Sequence, residues 1–211
     1  MFKNRLEAGE ILAEIIKERS LSEPYLLAVP RGGVVVAVPI AQKLGVGLGV
    51  LIARKIGHPL NPEVAIGAVM PDGSAVYDPK QLSSLGVGES QIKAMIKHEL
   101  NEIQRRLIEY TGNSALPNIQ GKTVVIVDDG IATGYTIKAA IQWLKTLNPG
   151  KITIAVPVAP PEVISELDEY DVEVICPVQP EMFMAVGMYY EDFSQTEDDE
   201  VIKYLKKYKL A

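Results

Sequence analysis

The stretch Val124 to Thr136, VVIVDDGIATGYT, leaves this chain few choices of fold. Four β-favouring aliphatics in succession show no polar alternation, so they read as a strand buried on both faces, the kind found in a parallel sheet covered by helices. Asp128 and Asp129 end that strand where an open α/β sheet presents its ligand crevice. Gly130 to Gly134 form a turn of small residues, and a helix follows with Ile137, Ala140, Ile141, Leu144 and Leu147 on one face. A strand, a turn of backbone N–H groups and the positive end of a helix make an anion site, to which the hydroxyls of Thr133 and Thr136 add donors. Phosphate is the expected anion. Carboxylates beside it would repel it, so the acidic pair is better explained as accepting from neighbouring hydroxyls, or as partnering a metal bound to the ligand. A sugar phosphate fits both halves. The plain alternative is an ordinary βα turn, which Asp-Gly alone would favour.

The rest of the chain reads as strands alternating with helices, which predicts an α/β fold with a doubly wound, mostly parallel sheet. Residues 4 to 19 form an amphipathic helix, and YLLAVP a short buried strand ending in Arg31-Gly32-Gly33. Paired glycines there permit close approach to a ligand and the arginine offers a planar fork for phosphate oxygens, although simple turn chemistry would use the same residues. Pro39 is expected near the start of the next helix, since deep inside one it would cost about 3 kcal/mol. Val50 to Ala53 make a second strand that delivers Arg54-Lys55 into a Gly/Pro/Asn-rich loop, Ile56 to Pro62. A basic pair opening a mobile loop suggests a lid over polyphosphate, against the alternative of a solvated strand end. Val64 to Val69 and Ala75 to Tyr77 form a hairpin, and residues 90 to 110 the longest helix. Ile152 to Val158 and Val172 to Ile175 supply two more strands, with a helical stretch from Pro161 to Leu167 between them. Residues 197 to 207, acidic first and basic last, form a closing helix. Trp143 falls off its helix's apolar stripe and is expected to be partly exposed. His58 and His98 read as surface residues.

At 211 residues and 47% hydrophobic content, the chain suits one domain spanning residues 1 to 211. Its 27 acidic residues against 21 basic, a net charge of −6, argue against a broad nucleic-acid surface. Cys176 is the single cysteine, so no internal disulfide is possible. The opening MFKNRLEAGE lacks the apolar core of a signal peptide, and no run approaches the roughly 20 apolar residues that span a bilayer. A cytoplasmic location follows as the expectation. No Cys, His or carboxylate pair has metal-cage spacing, so no protein-held metal is expected.

Val124 to Thr136 resembles the phosphoribosyl-pyrophosphate (PRPP) motif of the type I phosphoribosyltransferases: aliphatic strand, acidic pair, small loop, Thr-Gly, Thr. AVPRGGVVV is similar to the pyrophosphate loop of bacterial xanthine-guanine enzymes, with Pro30 in place of a serine. The Arg54-Lys55 opening resembles the lid of adenine phosphoribosyltransferases. The likeness covers nearly the whole chain in order and looks nearest to phosphoribosyltransferases of unassigned acceptor. It implies transfer of the 5-phosphoribosyl group from Mg-PRPP to a small-molecule nitrogen acceptor, a nucleobase by expectation, with release of pyrophosphate. Asp128 and Asp129 would hold the ribose hydroxyls, and Gly130, Ile131, Ala132, Thr133, Gly134 and Thr136 the 5′-phosphate. Arg31, Gly32, Gly33, Arg54, Lys55 and Asp192 would meet the pyrophosphate, with Lys55, Asp128 and Asp129 counted as catalytic. Mg²⁺ would arrive with PRPP, and a homodimer is implied.

The segment 177 to 196, dense in Met, Phe and Tyr, stands where the family carries a hood over the acceptor; Phe183 and Tyr189 are its candidate contacts, against simple packing. Ala132 occupies a slot where hypoxanthine-guanine-type enzymes carry an aspartate and adenine-type enzymes an alanine, which points away from a 6-oxopurine acceptor. Asp72 lies near the place of a catalytic glutamate in adenine enzymes, but its Asp-Gly turn context competes. Two other readings stay open: a PRPP-sensing regulator without catalysis, and a nucleotide-binding domain of other function.

Overall fold

The computed structural model describes residues 1–21, 24–59, 61–115 and 117–208. In chain order the elements are α1 (Arg5–Glu18), β1 (Tyr25–Ala28), α2 (Gly32–Leu44), β2 (Leu48–Val50), β3 (Arg54–His58), β4 (Asn61–Val69), β5 (Ala75–Tyr77) and α3 (Pro79–Ser84). There follow α4 (Glu89–Thr111), β6 (Thr123–Val127), α5 (Tyr135–Thr146), β7 (Lys151–Ala155), α6 (Pro161–Asp168), β8 (Glu173–Ile175), a 3-10 turn at Val186–Tyr189 and α7 (Asp198–Lys207). They gather in two compact units, one of Met1–Leu51, Pro117–Gly134 and Leu147–Ala211, the other of Ile52–Leu116 and Tyr135–Thr146.

The first unit contains a five-stranded parallel sheet in the order β2-β1-β6-β7-β8. Leu26, Ala28 and Val124 to Val127 have no exposed area, as strands covered on both faces require, which is why their sequences run aliphatic without alternation. From β1 the chain steps outward to β2, whereas from β6 it steps the other way to β7 and β8. The carboxyl ends of β1 and β6 therefore flank the point where strand order reverses, the place where such sheets open a crevice.

Helix α2 begins at Gly32, directly after the Arg31 turn, so Pro39 lies well inside it and not near its start. The cost of about 3 kcal/mol is outweighed because Gly33 to Val38, Ile40 and Ala41 are all buried, each larger aliphatic side chain contributing about 1.5 to 3 kcal/mol. Helix α1 approaches closely at that point: a Cβ on Gly9 would lie 2.2 Å from the Val36 carbonyl oxygen and 3.0 Å from the Pro39 ring. Strand β2 stops at Val50 and does not reach Ala53, because its partner β1 ends at Ala28; one further bond, from Leu51 N–H to Ala28 O at 2.9 Å, closes the pairing. Strand β7 likewise ends at Ala155, with Val158 bridging Val178 beyond it.

The second unit carries an antiparallel sheet, β3-β4-β5. The segment expected as a loop from Ile56 to Pro62 is largely strand: β3 runs to His58 and β4 starts at Asn61, while Leu60 lies outside the described residues. Buried Ile56 beside exposed Lys55 supplies the alternation that Gly57, Pro59 and Pro62 mask, and irregular register at Ile56 to His58 absorbs the glycine. Helix α5 buries more of its circumference than one stripe. Trp143 is consequently 3% exposed and not partly exposed, and its indole N–H has no hydrogen-bond partner among the described residues. Among the described residues no helix is long and apolar enough to cross a membrane.

Candidate functional site

Two glycines bring the sequence-predicted loops together. A Cβ on Gly32 would stand 1.8 Å from Asp129 Oδ2, and one on Gly33 would stand 2.7 Å from the Val127 carbonyl oxygen and 2.9 Å from Asp128 Cα. Real side chains do not approach so closely, so the Arg31-Gly32-Gly33 turn after β1 rests directly on the acidic pair after β6 because its glycines carry no side chains there. Val29 N–H donates to Val127 O at 2.8 Å and fixes the two strand ends.

The two carboxylates differ in surroundings. Asp128 Oδ1 accepts from the Asp129 backbone N–H at 2.8 Å. Loss of hydration, with the neighbouring Asp129 charge second, pushes the Asp128 carboxyl well above the usual carboxylate range. Asp129 Oδ2 accepts from Arg5 Nε–H at 2.8 Å, a pair whose side chains are 11% and 18% exposed. The same guanidinium donates through Nη1–H to Ser194 O at 2.7 Å and lies 3.9 Å from the centre of the Phe193 ring. From sequence, Arg5 is one more charged residue on a structural first helix. Its role rests on a partner 124 residues away, and no local pattern announces it.

The segment 177 to 196, the expected hood, packs against these groups. Tyr190 O–H donates to the Asp129 carbonyl at 2.6 Å, and burial, ahead of the Asp129 charge, raises its phenol. Phe2, Tyr190 and Phe193 pack with ring centres 5.4 and 5.0 Å apart. The N-terminal segment is laced to the hood: Phe2 N–H donates to Tyr189 O, Glu191 N–H to Phe2 O and Asp192 N–H to Lys3 O, at 2.8, 2.8 and 2.9 Å. A Cβ on Gly130 would meet Val186 at 2.5 Å, so the turn after the acidic pair passes tightly beneath the 3-10 turn. A cleft of about 350 Å³ remains, lined by Arg5, Arg31, Gly32, Asp129, Phe193, Gln195 and Thr196.

Other predicted residues fall as follows. Arg31 NH1 lies 3.9 Å from Asp198 and 4.0 Å from Glu197, in or beside the acidic first turn of α7. Ile131 is buried and its N–H donates to Val158 O at 2.9 Å, while Ala132 and Thr133 are exposed and Gly134 takes a left-handed φ of 72°. Asp192 lies outside the cleft lining and closes a turn by accepting from Ser194 N–H at 2.9 Å. Phe183 and Tyr189 stack on each other at 5.7 Å. In the second unit, Thr136 lies in the first turn of α5, Arg54 Nε–H donates to Glu99 at 2.8 Å, and Lys55 is exposed. Asp72 accepts from the N–H and O–H of Ser74, as an Asp-Gly turn does. Among the described residues no three or more His, Cys, Asp or Glu side chains gather to hold a metal.

The phosphoribosyl transferase domain family matches residues 3–193. Two Mycobacterium tuberculosis proteins, from strains CDC 1551 and H37Rv, each carrying the name "Putative phosphoribosyl transferase", are 38% identical over 208 residues, 98% of this chain and 47% of theirs. The chain thus spans about half the length of these curated relatives. The crystal structure of TT1426 from Thermus thermophilus is 36% identical, covers 98% of each chain and superposes with a TM-score of 0.83. The AQ2163 protein of Aquifex aeolicus, 16% identical with a TM-score of 0.55 over 95% of this chain and 84% of its own, shares the fold. The α/β architecture, the two loops joined at the strand-order reversal and these likenesses agree, and the chain belongs to the phosphoribosyl transferase domain family.

Proposed function

We propose that this protein transfers the 5-phosphoribosyl group of PRPP to the nitrogen of a small acceptor and releases pyrophosphate. The observation that carries the reading is the contact of Gly32 and Gly33 with the acidic pair. It sets a cationic, glycine-rich turn suited to pyrophosphate directly against acceptor-only carboxylates suited to sugar hydroxyls, as the two groups adjoin in PRPP. In this reading Asp128 and Asp129 hold the ribose hydroxyls, and residues 130 to 134 with Thr136 hold the 5′-phosphate. Arg31, Gly32 and Gly33 hold the pyrophosphate.

The residues suit a magnesium ion that comes with its substrate, since carboxylates adjoin the turn proposed for the pyrophosphate. When bound, Mg²⁺ would neutralise charge on the leaving pyrophosphate. The chain's own contribution is positioning and charge stabilisation around a ribosyl cation-like state. The Phe183–Tyr189 pair and the rest of segment 177–196 are the proposed acceptor hood. Ala132 offers no proton acceptor beside the 5′-phosphate turn, so a 6-oxopurine is not the expected substrate.

The test is pyrophosphate release from Mg-PRPP with a panel of purines, pyrimidines and other amines, beside calorimetric PRPP titration. Turnover with one acceptor class supports the enzyme. Tight PRPP binding without turnover would favour a PRPP-sensing regulator, and no PRPP binding would overturn both. Turnover of hypoxanthine, guanine or xanthine at a kcat/KM of about 10⁴ M⁻¹s⁻¹ or more would refute the inference from Ala132.

A further inference from the structure

Asp129 does not stand alone in the site. Arg5 engages one of its carboxylate oxygens, Oδ2, at 2.8 Å. Arg5 is itself fixed at three points: Asp129 Oδ2, the Ser194 carbonyl and the face of Phe193. It is 11% exposed, so little of its freedom remains to be lost. The Arg5 cation on Oδ2 offsets the unfavourable influence of the two neighbouring acidic groups on each other and holds the Asp129 carboxylate in place. Gly32 makes room for this pair, since a Cβ there would stand 1.8 Å from Asp129 Oδ2 and 2.6 Å from Arg5 Nε.

We propose that Arg5 is a positioning residue for sugar recognition: it orients Asp129 so that Oδ1 meets a ribose hydroxyl, and it ties that orientation to the hood through Ser194 and Phe193. The inference rests on the PRPP reading above. Arg5 acts through Asp129, so its loss should injure sugar recognition and spare the pyrophosphate turn.

Calorimetric titration of Mg-PRPP and of Mg-pyrophosphate into wild type, Arg5→Met, Asp129→Asn and the double variant tests it. The expected result is that Arg5→Met weakens PRPP by about tenfold or more, while pyrophosphate, which meets Arg31 and Gly32, changes by less than about threefold. The double variant should bind PRPP no more than about threefold worse than Asp129→Asn alone, because the two residues act as one unit. Arg5→Lys, which keeps the charge but not the fork that joins Asp129 to Ser194, should fall between wild type and Arg5→Met. If Arg5→Met fails to unfold cooperatively, the same two-ligand comparison is made with Arg5→Lys. Wild-type PRPP affinity in the folded variant, equal losses for PRPP and pyrophosphate, or multiplicative losses in the double variant would each overturn the proposal. A wild-type protein that does not bind PRPP overturns the reading beneath it instead.

Discussion

Asp128 shows at the residue scale how a buried carboxyl can work against the fold that carries it. Its carboxyl is raised by lost hydration and by Asp129, so the folded protein holds this proton at pH values where the unfolded chain, near pKa 3.9, has released it. The folded state then binds more protons than the unfolded one, and stability must fall as pH rises from about 4 through the raised pKa. Asp128→Asn removes this penalty and keeps an oxygen for the Asp129 N–H. Ligand-free Asp128→Asn should therefore melt above wild type at pH 7, with a flatter pH profile, while its PRPP affinity collapses; scanning calorimetry from pH 4 to 8 checks the first and titration the second. Gly32→Ala should instead lower the melting temperature and PRPP affinity together, because its Cβ would stand 1.8 Å from Asp129 Oδ2. The acidic pair and the glycines were legible in the sequence because adjacent residue types in one short run disclose their chemistry. Arg5 was not, since what makes it matter is a carboxylate 124 residues further on.

At the scale of elements, periodicity located the parallel strands and the long helix and failed where composition obscured it. Glycine and prolines hid the β3–β4 pairing, and counting a single stripe on α5 left Trp143 outside the core it occupies. A buried indole N–H without a partner is costly, so Trp143→Phe should retain most stability and Trp143→Ala should lose about 3 to 5 kcal/mol in urea unfolding. On β8, Glu173 accepts from Lys151 at 2.7 Å and from Arg19, and Lys151 leads the influences that lower its carboxyl. A lowered folded pKa contributes stability that is present above the unfolded value of about 4.3 and lost as pH falls through the folded one. Glu173→Gln should consequently cost at most about 1 kcal/mol at pH 7, given partly exposed partners, and progressively less as pH falls through the lowered folded value. Equal losses at both pH values would assign the effect to packing.

For the whole molecule, a ligand that binds only the folded state links site and stability. PRPP at about 100 times its dissociation constant should stabilise wild type by about 2.7 kcal/mol. For a chain of this size that is a rise in melting temperature of about 5 to 10 °C, and Asp129→Asn at the same concentration should show almost none of it. The lacing of Phe2 and Lys3 to Tyr189, Glu191 and Asp192 carries a further consequence, for the order of assembly. Arg5 reaches Ser194 across 189 residues of sequence, so these distant segments meet only after nearly everything between them has been made. Synthesis runs from N- to C-terminus, so Arg5 and the Arg31-Gly32-Gly33 turn are made before the acidic pair, and the acidic pair before Tyr190 to Ser194. Contacts this distant are closed late and at an entropic cost, so the sheet can be complete while Asp129 still lacks its hood. On the PRPP reading, sugar recognition is then the last property a newly made chain acquires, and a nascent chain halted before Tyr189 should form its sheet and fail to bind PRPP.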